Sequence, residues 1–411
     1  MTKKLVVIGG GAAGFFCAVN AARMNSKLEV ILLEKTGKLL SKVRVSGGGR
    51  CNVTHNCTSI AEMVKKYPRG GNFVKKTFHQ FFTTDTIKWF EERGIALKTE
   101  VDGRMFPVTD SSQTIVDCLI REVNKYGIEV MMNADVKSIK PTSGSFEISL
   151  SDSRTLKSDF ICVACGGYPK SIMFNWLVDL KHTFEDPVPS LFTFNIPGNS
   201  ITQLMGIAVE KATVKVAGSK LEESGPLLVT HWGMSGPAVL KLSAWGARDF
   251  FDKKYSFKAL VNWVPPFNEQ SLRVKMQEVR FELAAQKIVN RNPFKLPLRL
   301  WEHFVYEAGI KQDCRWADLP GREQNRLVKI LCAAAFDING KTTFKEEFVT
   351  AGGINLGEVD PDTMMSKIVP NLFFAGEVLN IDGVTGGFNF QNAWTTAFIA
   401  AKSISGGRYE V

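Results

Sequence analysis

The order of apolar and polar positions predicts a β-α-β start. Lys4-Leu-Val-Val-Ile-Gly9 is a short apolar run closed by glycine, as in a strand buried on both faces of a parallel sheet. An alanine-rich stretch over residues 12 to about 25 predicts a helix. Leu28-Glu-Val-Ile-Leu-Leu-Glu34 predicts a second strand ending on an acid. Residues 60–95 read as helical, with Phe90-Glu-Glu-Arg-Gly94 ending one helix at a glycine. Short strands are expected over 95–108 around Asp102-Gly103, and an amphipathic helix over 112–126. Residues 128–132, 135–139 and 145–150 alternate as antiparallel strands do, and 160–164 reads as a buried strand closed by Gly166-Gly167.

Pro187-Val-Pro189 marks a change of pattern. Short strand signals dominate from residue 191 to about 260, and 269–334 is largely helical with a proline-bearing break near 293–297. Glycine-rich and short apolar elements return after 346. They include a strand at 371–375 and a helix at 393–403 with a Gly406-Gly407 stop beyond it. The expected organisation is one α/β domain made of residues 1–189 and 346–411, interrupted by a strand-rich insertion, 190–268, and a helical insertion, 269–345.

Composition narrows the class. A chain of 411 residues suggests two or three domains, and 29 Phe, 8 Trp and 6 Tyr are too much apolar surface to leave in water. The eight cysteines are scattered, no stretch of 18 apolar residues occurs, and the start lacks a long apolar region and a cleavage site. The chain reads as reduced and cytoplasmic, with no membrane association and no metal site. The net charge is +10, but the basic residues are spread, the densest run being Met63-Val-Lys-Lys-Tyr-Pro-Arg69. A small-molecule substrate is expected and a nucleic-acid partner is not; the oligomeric state is not legible.

Gly9, Gly11 and Gly14 stand in G-x-G-x-x-G spacing between the first strand and the first helix. Gly9 permits the tight turn, Gly11 leaves room for a pyrophosphate against the backbone, and Gly14 lets the helix lie close to the sheet. The helix start offers free N–H groups and partial positive charge to the phosphates. Glu34, 20 residues after Gly14, is placed to accept hydrogen bonds from ribose hydroxyls, which argues against a 2′-phosphate and permits FAD or NAD.

Four further stretches carry a resemblance. They are Ser46-Gly-Gly-Gly-Arg-Cys-Asn-Val-Thr54, Gly103-Arg-Met-Phe-Pro107, Thr230-His-Trp-Gly-Met-Ser-Gly-Pro237 and Gly376-Glu-Val-Leu-Asn-Ile-Asp-Gly-Val-Thr-Gly-Gly-Phe-Asn-Phe-Gln-Asn-Ala393. With them the chain resembles, nearly end to end, the YhiN-like or BaiN-like bacterial flavoproteins, NAD(P)/FAD-dependent oxidoreductases. Three positions depart from that pattern: His55 for Asn, Cys165 for Thr and Leu40 for Gly. The resemblance implies bound FAD in a Rossmann-like domain of the two-dinucleotide-binding type, interrupted by a β-barrel-like and a helical subdomain. It implies an enzyme that uses NAD(P)H, as a transient co-substrate, to reduce a small organic substrate through the flavin. The alternatives are an oxidase of an amine-like substrate, and a flavin-bearing non-catalytic or RNA-interacting protein.

The same resemblance assigns the cofactor-binding positions. Around the first turn they are Gly9, Gly11, Ala12, Ala13, Gly14, Glu34, Lys35 and Lys42. Ser46, Gly47, Gly48, Arg50, Cys51 and Asn52 form a loop rich in backbone N–H groups, expected against the flavin and pyrophosphate. Val136 is expected at the adenine edge, and Ala164, Cys165 and Gly166 along the adenosine or ribityl part. Gly376, Glu377, Asp382, Gly386, Gly387, Phe388, Asn389 and Gln391 make the second half of the cradle, with a helix starting near Phe390 aimed at the ring. The catalytic candidates are Arg50, for negative charge on the ring, and His231, as a proton donor or substrate ligand. Ser235 reads as a helix cap. Cys51 and Cys57, with five residues between them, read as two reduced thiols.

Overall fold

A computed structural model describes residues 2–342 and 349–406. The central sheet is built from β1 (Lys4–Ile8), β2 (Glu29–Leu33), β3 (Glu129–Met131), β4 (Phe160–Val163) and β5 (Leu372–Phe374). Their order is β5-β4-β1-β2-β3 and every pairing is parallel. The strand at 129–131, expected to be antiparallel, therefore joins the parallel sheet beside β2. A three-residue strand is too short for its alternation to report on pairing direction. The alternating segments that follow, Val136–Pro141, Phe146–Leu150 and Thr155–Ser158, do form a small antiparallel sheet.

Two helices flank the site: α1 (Ala12–Met24) and α2 (Phe388–Ile404). The second starts five residues before the expected 393 and two before the expected 390. The apolar periodicity begins at Ala393, whereas the actual first turn is read off Gly387 in the left-handed region. Every residue of α1 from Ala13 to Ala22 is buried. Phe16 packs on Trp394 of α2 and on Trp89, at 5.1 and 4.5 Å between ring centroids. The buried Asn20 is satisfied by donating to the Phe16 carbonyl and accepting from Trp89 Nε1.

The chain groups into two units, Met1–Pro189 with Lys345–Val411, and Ser190–Phe344. The expected return junction at 345–346 lies outside the described residues, as does Gly407. In the second unit a seven-stranded antiparallel sheet runs in the order 334–339, 256–262, 208–216, 222–229, 233–235, 193–195, 341–342. Its side chains Phe194, Val214 and Val261 share one core with Met276, Trp301 and Leu327 of the helical stretch. The expected division at 268/269 thus does not separate two packing units. The helices cover the sheet, and Ala334–Asn339 and Lys341–Thr342 return to it from inside the expected helical segment. Two helices, Pro237–Trp245 and Ala247–Asp252, also interrupt the stretch read as strands. Among the described residues no helix is long and apolar enough to cross a membrane.

A buried polar chain ties the first unit together near its second segment. His182, 1 % exposed, meets Glu358 Oε2 through Nδ1 at 2.8 Å and Ser366 Oγ through Nε2 at 2.9 Å. Burial lowers the imidazole pKa below its usual 6.5, against the raising effect of Glu358. The unfolded chain then binds the proton more tightly than the native one. His182 contributes fully above about pH 6.5, and its contribution fades as pH falls from there to its native value. Thermal melts should give a Tm that drops on acidification below about pH 6.5, more steeply than in His182→Asn. Equal pH slopes for the two proteins would contradict this.

Candidate functional site

The three glycines of the first turn do different work. Gly9 sits at φ +121°, and a Cβ there would lie 2.4 Å from the Ala164 carbonyl oxygen. A Cβ on Gly14 would lie 1.8 Å from the Gly9 carbonyl oxygen, so α1 can approach the turn only as glycine. Gly11, the N-cap of α1, makes no side-chain cap, and a Cβ on it would meet nothing within 4 Å. The turn is closed on the protein side and open on the other, with the first-turn N–H groups facing outward. Glu34 fastens it: Oε2 accepts from Gly10 N at 2.9 Å, and Oε1 accepts from Thr36 N and Thr36 Oγ1 at 2.8 Å each. Lys35 is exposed and lies over the Tyr168 ring.

Beyond Glu34 the backbone turns toward Val136. Ala134 N donates to the Glu34 carbonyl, and Val136 opens its strand, partly exposed, beside a register shift. At the end of β4, Ala164 N donates to the Ile8 carbonyl and Gly166 takes φ +77°. Burial pushes the Cys165 thiol up to about 11. Glu377 closes this side: Oε2 meets Lys42 Nζ at 2.6 Å and Oε1 accepts from Thr350 N at 2.9 Å. Thr350, fully buried, holds an Oγ1 with no hydrogen-bond partner among the described residues, and a Cβ on Gly167 would come within 2.6 Å of that oxygen. Sequence reading missed Thr350 because its only local signal is a hydroxyl in a short apolar strand.

The segments near 47 and 386 are brought together. The helix Ser41–Gly49 is broken at Ser46–Gly48, where Gly47 and Gly48 take positive φ. Ser46 Oγ donates to the Val43 carbonyl, and the Ser46 carbonyl accepts from Cys51 N. With its amide assigned the orientation that satisfies both neighbours, Asn52 bridges the two segments, donating to the Thr54 carbonyl at 3.0 Å and accepting from Gly387 N at 2.9 Å. His55, one of the departures from the family pattern, stacks on Phe388 and contacts the Gly386 carbonyl through Nδ1 at 3.1 Å. Asn389 and Gly383 exchange hydrogen bonds at 2.7 and 2.9 Å. Leu40, another departure, holds φ +57° with its side chain buried, so the backbone keeps the conformation that glycine would supply.

Several expected residues are spent elsewhere. Gln391 is fully buried inside α2: its Oε1 accepts from Thr54 and Thr86 and its Nε2 donates to Thr395. Asp382, also fully buried, is paired by both oxygens to Arg69, the last residue of the basic run noted above. Arg50 meets Glu100 at 2.6 Å and Asp110 at 3.5 Å and lies 4.0 Å over the Phe106 ring. Glu100 raises its pKa further. His231 lies in the second unit, exposed, with its ring 4.1 Å from Trp232. Ser235 is not a cap: Gly236 is the N-cap of the following helix, and Ser235 Oγ accepts from Thr193.

Cys51 is fully buried and burial raises its thiol to about 12, so it stays protonated at neutral pH. In native protein at about pH 8, a maleimide should leave Cys51 unlabelled until denaturant is added, as read by peptide mass spectrometry. Fast native labelling at Cys51 would refute this.

The residues fit an adenine dinucleotide. Gly11, Gly48 and Gly49 all point a missing Cβ into open space, and the buried Thr350 Oγ1 has no partner among the described residues.

Comparison with known proteins extends the picture. A family model described as HI0933-like protein Rossmann domain matches residues 3–403. The chain is 29 % identical over 411 residues to the ribosomal RNA dihydrouridine synthase of Escherichia coli, covering 97 % of each chain. It is 24 % identical over 412 residues to the 3-dehydro-bile acid delta(4,6)-reductase of Clostridium scindens, covering 97 % of this chain and 98 % of that one. Among solved structures, a 3-ketosteroid-delta4-(5alpha)-dehydrogenase from Rhodococcus jostii RHA1 has the same fold, with TM-score 0.53 and 13 % identity over 98 % of this chain and 97 % of that one. One expectation is overturned. A nucleic-acid partner was not expected, yet dihydrouridine synthases of ribosomal RNA from Escherichia coli and Haemophilus influenzae match over 97 % of this chain. Net charge read as an average could not reveal this.

Proposed function

We propose, from the premise that the chain belongs to the HI0933-like protein family and is an FAD-dependent oxidoreductase, that it reduces a carbon–carbon double bond conjugated to a carbonyl. The substrate we infer is the uracil ring of ribosomal RNA. One observation carries this reading: full-length relatives are named for the saturation of such bonds, and those at 29 % identity act on ribosomal RNA. When bound, FAD supplies two-electron transfer.

The chain's own residues supply binding and orientation. The turn from Gly9 to Gly14 and the N-terminus of α1 would hold the pyrophosphate, with Glu34 on the adenosine ribose and the Val136 backbone on the adenine edge. Lys42, Gly166, Thr350 and Glu377 would line the ribityl chain. The loops 46–52 and 383–389 would hold the ring, because Asn52 locks one to the other at Gly387. The positive end of α2 favours negative charge at that edge. NAD(P)H enters as a transient co-substrate, since the chain has no second G-x-G-x-x-G to hold it. We also infer the two-dinucleotide-binding type for the FAD domain, residues 1–189 and 346–411, and a β-barrel-like closure for the seven-stranded sheet.

The test incubates the FAD-loaded protein and NADH or NADPH with ribosomal RNA from cells lacking the gene. The expected product is uridine carrying two added hydrogens, located by nuclease mapping and mass spectrometry. Unchanged RNA, with efficient reduction of a 3-oxo-Δ4,6 steroid, would replace this substrate with the small-molecule one.

A further inference from the structure

The charge of the chain is not evenly divided. Residues 190–344 hold 21 Lys and Arg against 14 Asp and Glu, so +7 of the net +10 lies in the second unit. Within it, residues 283–301 contain no acid at all, and their four cations recur at every fourth position: Lys287, Arg291, Lys295 and Arg299. All four are exposed, and none makes an ion pair with another described residue. Four cations in succession without an acid between them carry a positive field along this segment, which is bordered by Glu282 and Glu302.

The backbone under these side chains is held firmly. Ile288 N donates to the Cys314 carbonyl, and Trp301 Nε1 donates to the Ile288 carbonyl at 2.8 Å. Asn292 Nδ2 donates to the Leu296 carbonyl at 2.6 Å, and its Oδ1 accepts from Phe294 N. Ile288, Leu296 and Trp301 anchor the segment in the core. The cations therefore project from a fixed scaffold, and ordering them on a ligand costs side-chain entropy alone. Arg299 opens the helix Leu298–Glu307, and Tyr306 lies seven residues on, two turns along the same face. Tyr306 is 81 % exposed, an aromatic surface in water about 10 Å along the helix from Arg299, with the exposed Glu302 between them. Cations on an anchored segment that leads into a helix carrying an exposed ring suit a phosphate backbone with an accessible base.

We propose that Lys287, Arg291, Lys295 and Arg299, with Tyr306, form the surface that grips the phosphate backbone of the RNA substrate. This rests on the RNA reading above and assigns it a location. The experiment measures binding of the FAD-loaded protein to a protein-free ribosomal RNA transcript over a range of salt. It compares wild type, the fourfold variant K287Q/R291Q/K295Q/R299Q, the single Tyr306→Ala, and a control, K65Q/K66Q/K75Q/K76Q, that removes four charges from the other unit. Circular dichroism and FAD content establish that each variant is folded.

The fourfold variant should bind at least about tenfold more weakly near physiological salt, with the slope of log Kd against log salt reduced by about 3; the control should keep the wild-type slope. Tyr306→Ala should weaken binding with the slope unchanged, because stacking releases no counterions. A fourfold variant with the wild-type slope, or a loss confined to the control, would overturn the location while leaving the RNA reading intact. Wild type that binds no RNA would overturn both.

Discussion

Purified Gly11→Val protein is expected to fold and to carry no flavin. A Cβ at Gly11 meets nothing within 4 Å, so the valine has room in the protein, and the room it takes is the space proposed above for the pyrophosphate. The change should weaken FAD binding by at least about a hundredfold. Adding FAD at about 100 times the wild-type Kd stabilises apo wild type by about 2.7 kcal/mol through mass action; the variant should gain almost nothing. Gly14→Val is the informative contrast. Its Cβ would fall 1.8 Å from the Gly9 carbonyl oxygen, so it should fail at folding, before any cofactor is involved. The measurements are flavin absorbance per chain and the FAD-dependent shift in Tm. Full flavin content in folded Gly11→Val would refute the assignment of this turn.

Asp382→Asn is expected to be among the most damaging single changes outside the turn. Asp382 is fully buried and Arg69 is 16 % exposed, and they meet through both carboxylate oxygens. Removing the carboxylate from a buried pair costs about 3–5 kcal/mol, because the guanidinium keeps its desolvation penalty and loses its counter-charge. The pair joins residue 69 to the glycine-rich loop that continues through Gly383, whose backbone is held by Asn389. The variant should lose stability and flavin together, and urea titration should give a lower midpoint with an unchanged m value. Replacing both partners by apolar residues of similar size should recover much of the stability but not the loop geometry. An unfolding free energy within about 0.5 kcal/mol of wild type would contradict the reading of Asp382 as a structural anchor.

The two cases separate what was legible in the chain. The turn at Gly9–Gly14 and the acid at Glu34 could be placed from spacing because their neighbours are local: a turn, a helix start and the end of the next strand lie within 31 residues. The side-chain partners of Asp382 and Gln391 were not legible, because Arg69, Thr54 and Thr86 come from more than 300 residues away. Arg50 illustrates the same limit, since a cation in a glycine-rich loop looks available until Glu100 and Asp110 are seen beside it. Thr350 is the converse: its unpartnered hydroxyl exists only because Gly167 and Glu377 fold against it.

The amino-acid order by itself determined the β-α-β turn, the parallel character of its first strands and the glycines that need left-handed or crowded backbone, because each depends on neighbours a few residues apart. The tertiary structure alone decided which polar side chains face one another. It also decided that the helices after residue 269 cover the sheet before them. Burial and charge pairing are set by residues distant in the chain, and no local pattern carries that information.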